Sequence, residues 1–284
     1  MASTVDLHIH TTASDGSDSP ALLLRNLKEA GITTFSITDH DTITGALEME
    51  SLVTQEFWFI RGIEFSCETH AGKCHILGYG FDPNDSLFLA ALEEGAALRR
   101  KKLLSRLRYL EETLSITFTE AELAWLNGLK SPGKPHFGQL LVDRGIAATI
   151  TEAIQKYINP HKPRRDRIDS RTAIRAILHA GGIPVWAHPL GGEGEKRLSV
   201  GKFHAQLAIL KDQGIRGLEC GYSRYSRSDV EFLTAQAASH SLLISGGSDY
   251  HGTNKQDLPL GKLSADSTSF PAESLTILKK ISNS

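Results

Sequence analysis

The sequence predicts an α/β fold, either a parallel α/β barrel or a doubly wound sheet, interrupted by a helical insertion. Three observations carry this reading. Seven short β-branched or aromatic runs alternate with helical segments on either side of a long helical middle. Residues of metal-ligating type recur at one end of nearly every run, the end where barrels build their active sites. The charge is divided along the chain, with a basic middle between acidic flanks.

Residues 5–9 read as the first strand. Ser19 and Pro20 then supply an N-cap and a proline at the first helical position, opening a helix over 21–30 that Gly31 stops. Strand 33–38, helix 44–53, strand 57–63 and strand 75–79 follow. From about 87 to 158 the pattern is helical, with Leu103, Leu107, Leu110 and Leu114 spaced for one helix face and only 115–118 resembling a strand. The alternation resumes with strand 183–187, helix 202–213, strand 216–220, helix 228–239 and strand 242–245. The expected organisation is a barrel from 1–90 and 168–284, with 91–167 forming a helical cap.

Composition narrows the classes. Of 284 residues, 40% are hydrophobic and 23% charged, enough for a core and too ordered a balance for disorder. Lys and Arg number 31 against 33 Asp and Glu, which excludes a uniformly basic nucleic-acid coat. Residues 96–175 nevertheless hold 16 Lys and Arg against 8 Asp and Glu, while the remainder holds 15 against 25. That division suits metal ligands on one side of a site and anion-holding groups on the other. No apolar run approaches a membrane span, and residues 1–6 lack the basic and apolar regions of a signal peptide, so the expected location is cytoplasmic. Cys67, Cys74 and Cys220 form no CxxC pair and are expected to be buried thiols.

His8 and His10 are two apart on the first strand, so both side chains leave the same face. Asp15 follows in the next loop, and later strands end in Asp39-His40-Asp41 and Ile63-Glu64 or open on Cys74-His75. The fifth run ends in Ala187-His188-Pro189 and the seventh in Ser248-Asp249-Tyr250-His251. Imidazole with carboxylate and no thiolate suits Zn, Mn or Fe(II) at a catalytic site. His8, His10, Asp15, His40, Glu64, His75, His188, Asp249 and His251 exceed the needs of one ion, so two to three divalent transition metals are expected.

The motifs Asp6-Leu7-His8-Ile9-His10, Asp15-Gly16, Thr38-Asp39-His40-Asp41, Gly62-Ile63-Glu64, His75-Ile76-Leu77-Gly78, Ala187-His188-Pro189 and Gly247-Ser248-Asp249-Tyr250-His251 together resemble those of the PHP (polymerase and histidinol phosphatase) family. The resemblance implies a distorted (β/α)7 TIM-like barrel, a trinuclear centre and phosphoesterase activity. It implies that His8, His10, Glu64 and Asp249 hold one metal, and that Glu64, His75 and His188 hold a second. Asp15, His40 and His251 would hold the third. Glu64, Asp249 and His188 are the implied catalytic groups, with Asp6 and Asp39 orienting the imidazoles. Glu219 ends a strand but matches no family ligand, and its expected role is structural.

The insertion is similar to that of bacterial family members acting on nucleotides: 3′,5′-bisphosphonucleotide phosphatases and a 5′-to-3′ RNA exonuclease. The matches are the basic helix from Arg99 to Arg108, Lys134-Pro135-His136-Phe137, and Tyr157 with Lys162-Pro163. Lys134, Arg164-Arg165-Asp166 and Leu190-Gly191-Gly192 depart from the pattern of those relatives. The resemblance implies Lys134, His136, Arg100 and Lys162 as substrate-binding groups. The expected activity is hydrolysis of a nucleotide phosphate ester, as by a bisphosphonucleotide 3′-phosphatase releasing a nucleoside 5′-monophosphate such as AMP. Alternatives are exonuclease action on short RNA, histidinol phosphatase activity, and a non-catalytic structural or nucleic-acid-binding module.

Overall fold

The computed structural model describes residues 4–162, 167–192, 196–255, 257–266 and 270–282. Strand β1 (Val5–Ile9) is followed by α1 (Pro20–Glu29), where the Ser19 hydroxyl accepts from the Leu22 amide and caps the helix. Then come β2 (Thr34–Ile37), α2 (Thr44–Leu52), β3 (Trp58–Thr69) and β4 (Gly72–Tyr79). The second half holds β5 (Ile168–Asp169), α7 (Ser170–His179), β6 (Ile183–Trp186), α8 (Val200–Gln213), β7 (Gly217–Tyr222), α9 (Arg227–Ser239), β8 (Leu243–Gly247) and α10 (Thr276–Ile281).

Between the halves lie α3 (Ser86–Leu114), α4 (Glu120–Gly128), α5 (Lys134–Asp143) and α6 (Ile150–Ala153), the last running into a π turn over Ile154–Ile158. Residues 115–118 form no strand. Ile116 and Phe118 pack against the helical layer instead, so their alternation reports two contacts with helices rather than a sheet.

The sheet order is β1-β2-β3-β4-β6-β7-β8, with β5 paired to the far end of β3. A parallel bridge between Ile9 and Tyr250 brings the last edge back to the first, giving a nearly closed seven-stranded barrel. The ring is not wholly parallel. β4 runs antiparallel to both β3 and β6, because the short turn after Thr69 reverses the chain where a helical crossover would have kept its direction.

Ile9 packs with Leu23 and Leu27 of α1 and with Phe35 and Ile37 of β2, while His8 and His10 leave the other face. The main core joins Leu7, Ile63, Phe65, Ile76, Leu77, Tyr79, Val185 and Leu218. Helix α3 straddles two cores. Phe88 and Ala91 belong to the barrel core, whereas Leu103 and Leu110 pack with Leu126, Phe137 and Ile158 in the helical layer. Cys67, Cys74 and Cys220 are buried and are not joined in disulfides.

Candidate metal centre

Glu64 stands near the end of the shared β2–β3 ladder, wholly buried, with imidazoles on both of its oxygens. Its Oε2 lies 3.3 Å from His8 Nε2, 3.2 Å from His10 Nε2 and 3.0 Å from His40 Nδ1. Its Oε1 lies 2.9 Å from His75 Nδ1 and 3.1 Å from His188 Nε2. Asp249 Oδ1 is 3.3 Å from His10 Nε2 and 3.6 Å from His8 Nε2. Asp15 closes the group, with Oδ1 3.3 Å from His251 Nε2 and Oδ2 3.9 Å from His40 Nε2. All nine ligand-type residues expected from the sequence therefore meet in one place.

Three overlapping groups have ligand atoms within 4.8 Å of one another: His10, Asp15, His40 and His251; His8, His10 and Asp249; and His40, Glu64 and His75. His8 Nε2, His10 Nε2, Asp15 Oδ1, His40 Nδ1 and Glu64 Oε2 are buried without a hydrogen-bond partner. Buried polar atoms normally find partners, so five orphans facing one another fit divalent cations as the missing counterpart.

Electrostatics point the same way. Burial opposes charge on Glu64, Asp15 and Asp249, but neighbouring imidazoles, with Lys255 at Asp249, hold all three well below the usual carboxylate range. Burial keeps His40 neutral, its pKa falling to about 3 despite Glu64 and Asp15. At His10 burial is outweighed by the nearby carboxylates of Asp249 and Glu64, which raise it to about 9. The charged carboxylates and the neutral His40 are in the form that binds metal, whereas His10 gives up its proton to do so.

The loops carrying the ligands are strained. Asp41, His188 and Asp249 have φ of 52°, 28° and 59°, a region that non-glycine residues enter when their surroundings impose it. Gly247 is needed where β8 meets β1, since a Cβ there would stand 2.3 Å from the His8 amide nitrogen.

Supporting contacts differ from those expected. Among the described residues, neither Asp6 nor Asp39 hydrogen-bonds to an imidazole. Asp6 accepts from the Ser248 amide and hydroxyl, the Gly261 amide and the His8 amide, tying the first strand to the last ligand loop. Asp39 accepts from the Thr11 amide and hydroxyl and from Ser14, whose hydroxyl lies 3.4 Å from His10 Nδ1. Glu219 is the group that touches ligands directly. Its Oε1 is 2.7 Å from His8 Nδ1, and its Oε2 accepts from the His188 amide at 2.6 Å. It lies within β7 rather than at the strand end expected from the sequence, and only the partner 211 residues away reveals its use.

A cavity of about 300 Å³ opens from the metal-type residues toward the helical layer. Of the four expected substrate-binding residues only Lys134 lines it, with Nζ donating to Asn159 Oδ1 at 2.7 Å. Arg100 is exposed and bonded to Asn127 on the outer side. His136 accepts from the Gly133 amide and caps its own helix, and Lys162 is exposed away from the cavity. Residues 164–166 lie outside the described residues, while Gly192 of the Leu190–Gly192 departure lines the cavity beside His188. The cations that sequence reasoning missed are Arg99, Lys102 and Arg106, buried on one face of α3, together with Arg167. Their spacing of three and four residues was visible as a helix face.

Residues 6–159 match the family model for the PHP domain. The chain is 27% identical over 267 residues to a 3′,5′-nucleoside bisphosphate phosphatase of Chromobacterium violaceum, covering 90% of each. It is 33% identical over 257 residues to the 5′-3′ exoribonuclease Rnm of Salmonella typhimurium, covering 87% of this chain and 84% of that one. Its fold superimposes on an amidohydrolase from Chromobacterium violaceum with a TM-score of 0.84 at 23% identity, over 99% and 96% of the two chains. Among the described residues, no helix is long and apolar enough to cross a membrane. With a family model matched over more than half its length and relatives aligned along nearly all of it, the chain belongs to the PHP family and is a metal-dependent phosphoesterase.

Proposed function

We propose that the chain removes the 3′-phosphate of a nucleoside 3′,5′-bisphosphate, releasing a nucleoside 5′-monophosphate such as AMP. The observation that carries the proposal is Glu64, whose two oxygens are shared among five imidazoles and which lines a cavity together with several cations. Two to three divalent ions (Mn, Zn or Fe) would be held by His8, His10, Glu64 and Asp249, by Glu64, His75 and His188, and by Asp15, His40 and His251. Bound there, they would neutralise charge on the phosphoryl oxygens and acidify the attacking water.

The chain's own groups do the rest. Glu64 sets the spacing of the ligand groups, and His188 and Asp249 bound the space the phosphoryl group enters. Residues 91–167 act as a cap on the barrel formed by 1–90 and 168–284. Lys134 holds the phosphate that does not react, so that remote binding energy positions the one that does. A cationic wall disfavours the ammonium-bearing histidinol phosphate. A full ligand set disfavours a non-catalytic module. The similarity to an exoribonuclease keeps 5′-to-3′ exonuclease action on short RNA oligonucleotides as the second reading.

The test is phosphate or nucleotide release with Mn²⁺ supplied, across mononucleotides, a 3′,5′-bisphosphonucleotide, histidinol phosphate and short oligoribonucleotides. The bisphosphonucleotide is expected to show the highest kcat/KM, and chelation to abolish turnover. Preference for the oligonucleotide would replace the first reading with the second. No hydrolysis of any of them would refute both.

A further inference from the structure

We propose that Arg99 is a positioning residue through which α3 grips the His40 loop, so that the helical layer helps assemble the Asp15, His40 and His251 group as well as covering it. The inference rests on the metal-dependent reading above.

Arg99 belongs to a run of four cations but is only 7% exposed. Its Nε donates to Asp41 Oδ2 at 2.5 Å and its Nη2 donates to Ser66 Oγ at 2.8 Å. The other Asp41 oxygen accepts from the Ser66 amide at 2.7 Å, which closes a ring of three residues. Asp41 directly follows His40, holds φ at 52°, and donates its own amide to the Glu64 carbonyl at 2.9 Å. One residue thus links the turn behind His40, the strand carrying Glu64 and the helix above both.

Two further contacts show that the helical layer bears on this loop. The buried Ser131 hydroxyl donates to the His40 carbonyl at 2.5 Å. A Cβ on Gly95, one turn before Arg99, would stand 3.4 Å from Asp41 Cβ, so the helix lies directly against the loop. Arg100 marks the contrast, since it bonds on the outer surface and touches nothing of the centre. Without the guanidinium, Asp41 would be a buried carboxylate with no cation beside it, and its relief would be to turn toward water and take His40 with it.

Two variants test this. Arg99→Lys keeps the charge, but an ammonium cannot reproduce the planar fork that serves Asp41 and Ser66 together. Ser131→Ala cuts the second grip and leaves no buried charge behind, so it decides the matter if the first variant fails to fold. Each is loaded with Mn²⁺ and measured for equivalents retained, for affinity by chelator competition, for amide exchange over residues 38–44 and for thermal melting. One equivalent is expected to weaken ten- to a hundredfold, with faster exchange over 38–44 and the other equivalents held as in the wild type. Retention of every equivalent at wild-type affinity would overturn the proposal. So would uniform weakening of all equivalents with a lowered melting temperature, the signature of a scaffold residue. A wild-type chain that holds no Mn²⁺ would overturn the metal-dependent reading as well.

Discussion

Replacing Glu219 by Gln turns one oxygen into an NH2 group inside a fully buried site. The native carboxylate serves two donors at once, with Oε1 on His8 Nδ1 at 2.7 Å and Oε2 on the His188 amide at 2.6 Å. An amide has one acceptor. If its oxygen stays on His188, its NH2 faces His8 Nδ1 and moves the imidazole proton to Nε2, the atom directed at Glu64 and Asp249. If the oxygen stays on His8, two N–H donors confront each other at His188, whose backbone is already constrained at φ 28°. Either arrangement loses a hydrogen bond to a charged acceptor, about 1.5–3 kcal/mol. At 1.36 kcal/mol per decade this is roughly a 10- to 150-fold loss, in keeping with the cost of removing a partner from a metal-ligating histidine. Chelator competition with Mn²⁺ should show that loss in affinity, and excess Mn²⁺ should restore part of the phosphate-release rate. Wild-type affinity and rate in the variant would refute the argument that Glu219 sets the His8 tautomer.

Other outcomes follow from the same geometry. Glu64→Gln keeps the shape but removes the charge shared by five imidazoles. It should lower turnover by orders of magnitude and reduce metal content in elemental analysis from two to three equivalents, with an unchanged circular dichroism spectrum. Lys134→Ala should damage hydrolysis of a bisphosphonucleotide about tenfold or more while sparing an aryl monophosphate, because only the former has a second phosphate for a charge-assisted contact; equal damage to both would remove Lys134 from substrate binding. Gly247→Ala places a Cβ against the backbone of β1 and should cost about 3 kcal/mol in urea unfolding, the upper range for overpacking. Asp229 accepts from the amide of Ser226, the residue that caps α9, and pairs with Arg197; burial opposes its charge, but Arg197 and Ser226 hold its pKa below the ordinary value. Asp229→Asn should therefore cost about 1 kcal/mol near neutral pH, a difference present above the ordinary carboxylate pKa and lost as pH falls through the lowered one.

The metal-type residues were readable because strand geometry leaves little choice: His8 and His10 must share a face, and barrel strands deliver such faces to one end. The helical middle was readable from the spacing of Leu103 and Leu110, which do share a core. The direction of β4 was not, since alternation along His75 to Tyr79 is the same for either direction and only the turn at Thr69–Gly72 decides it. The four-cation run was ambiguous for a related reason. Arg99 and Arg100 are adjacent and chemically identical, and what separates them is Asp41, 58 residues upstream, which no local pattern connects to α3. Glu219 was underrated on the same ground, its partners being a residue on the first strand and an amide in a distant loop. The nine residues named by resemblance converge because they stand at strand ends, whereas of the four cap residues only Lys134 lines the cavity, since rotation of a helix changes which cation faces inward.

The seam between the first and last strands has a consequence for how the molecule comes into being. Asp6 and Ser248 are bonded across 242 residues, and His251 and Asp249 enter the centre only through that seam. During synthesis at about 5–20 residues per second, His8 and His10 wait roughly 10–50 s for the partners that complete their surroundings. No stretch shorter than His8 to His251 holds all nine ligand-type residues, so the group is completed late in the chain. A chain cut off before its eighth strand carries His8 and His10 without the Asp249 and His251 that meet them in the finished fold.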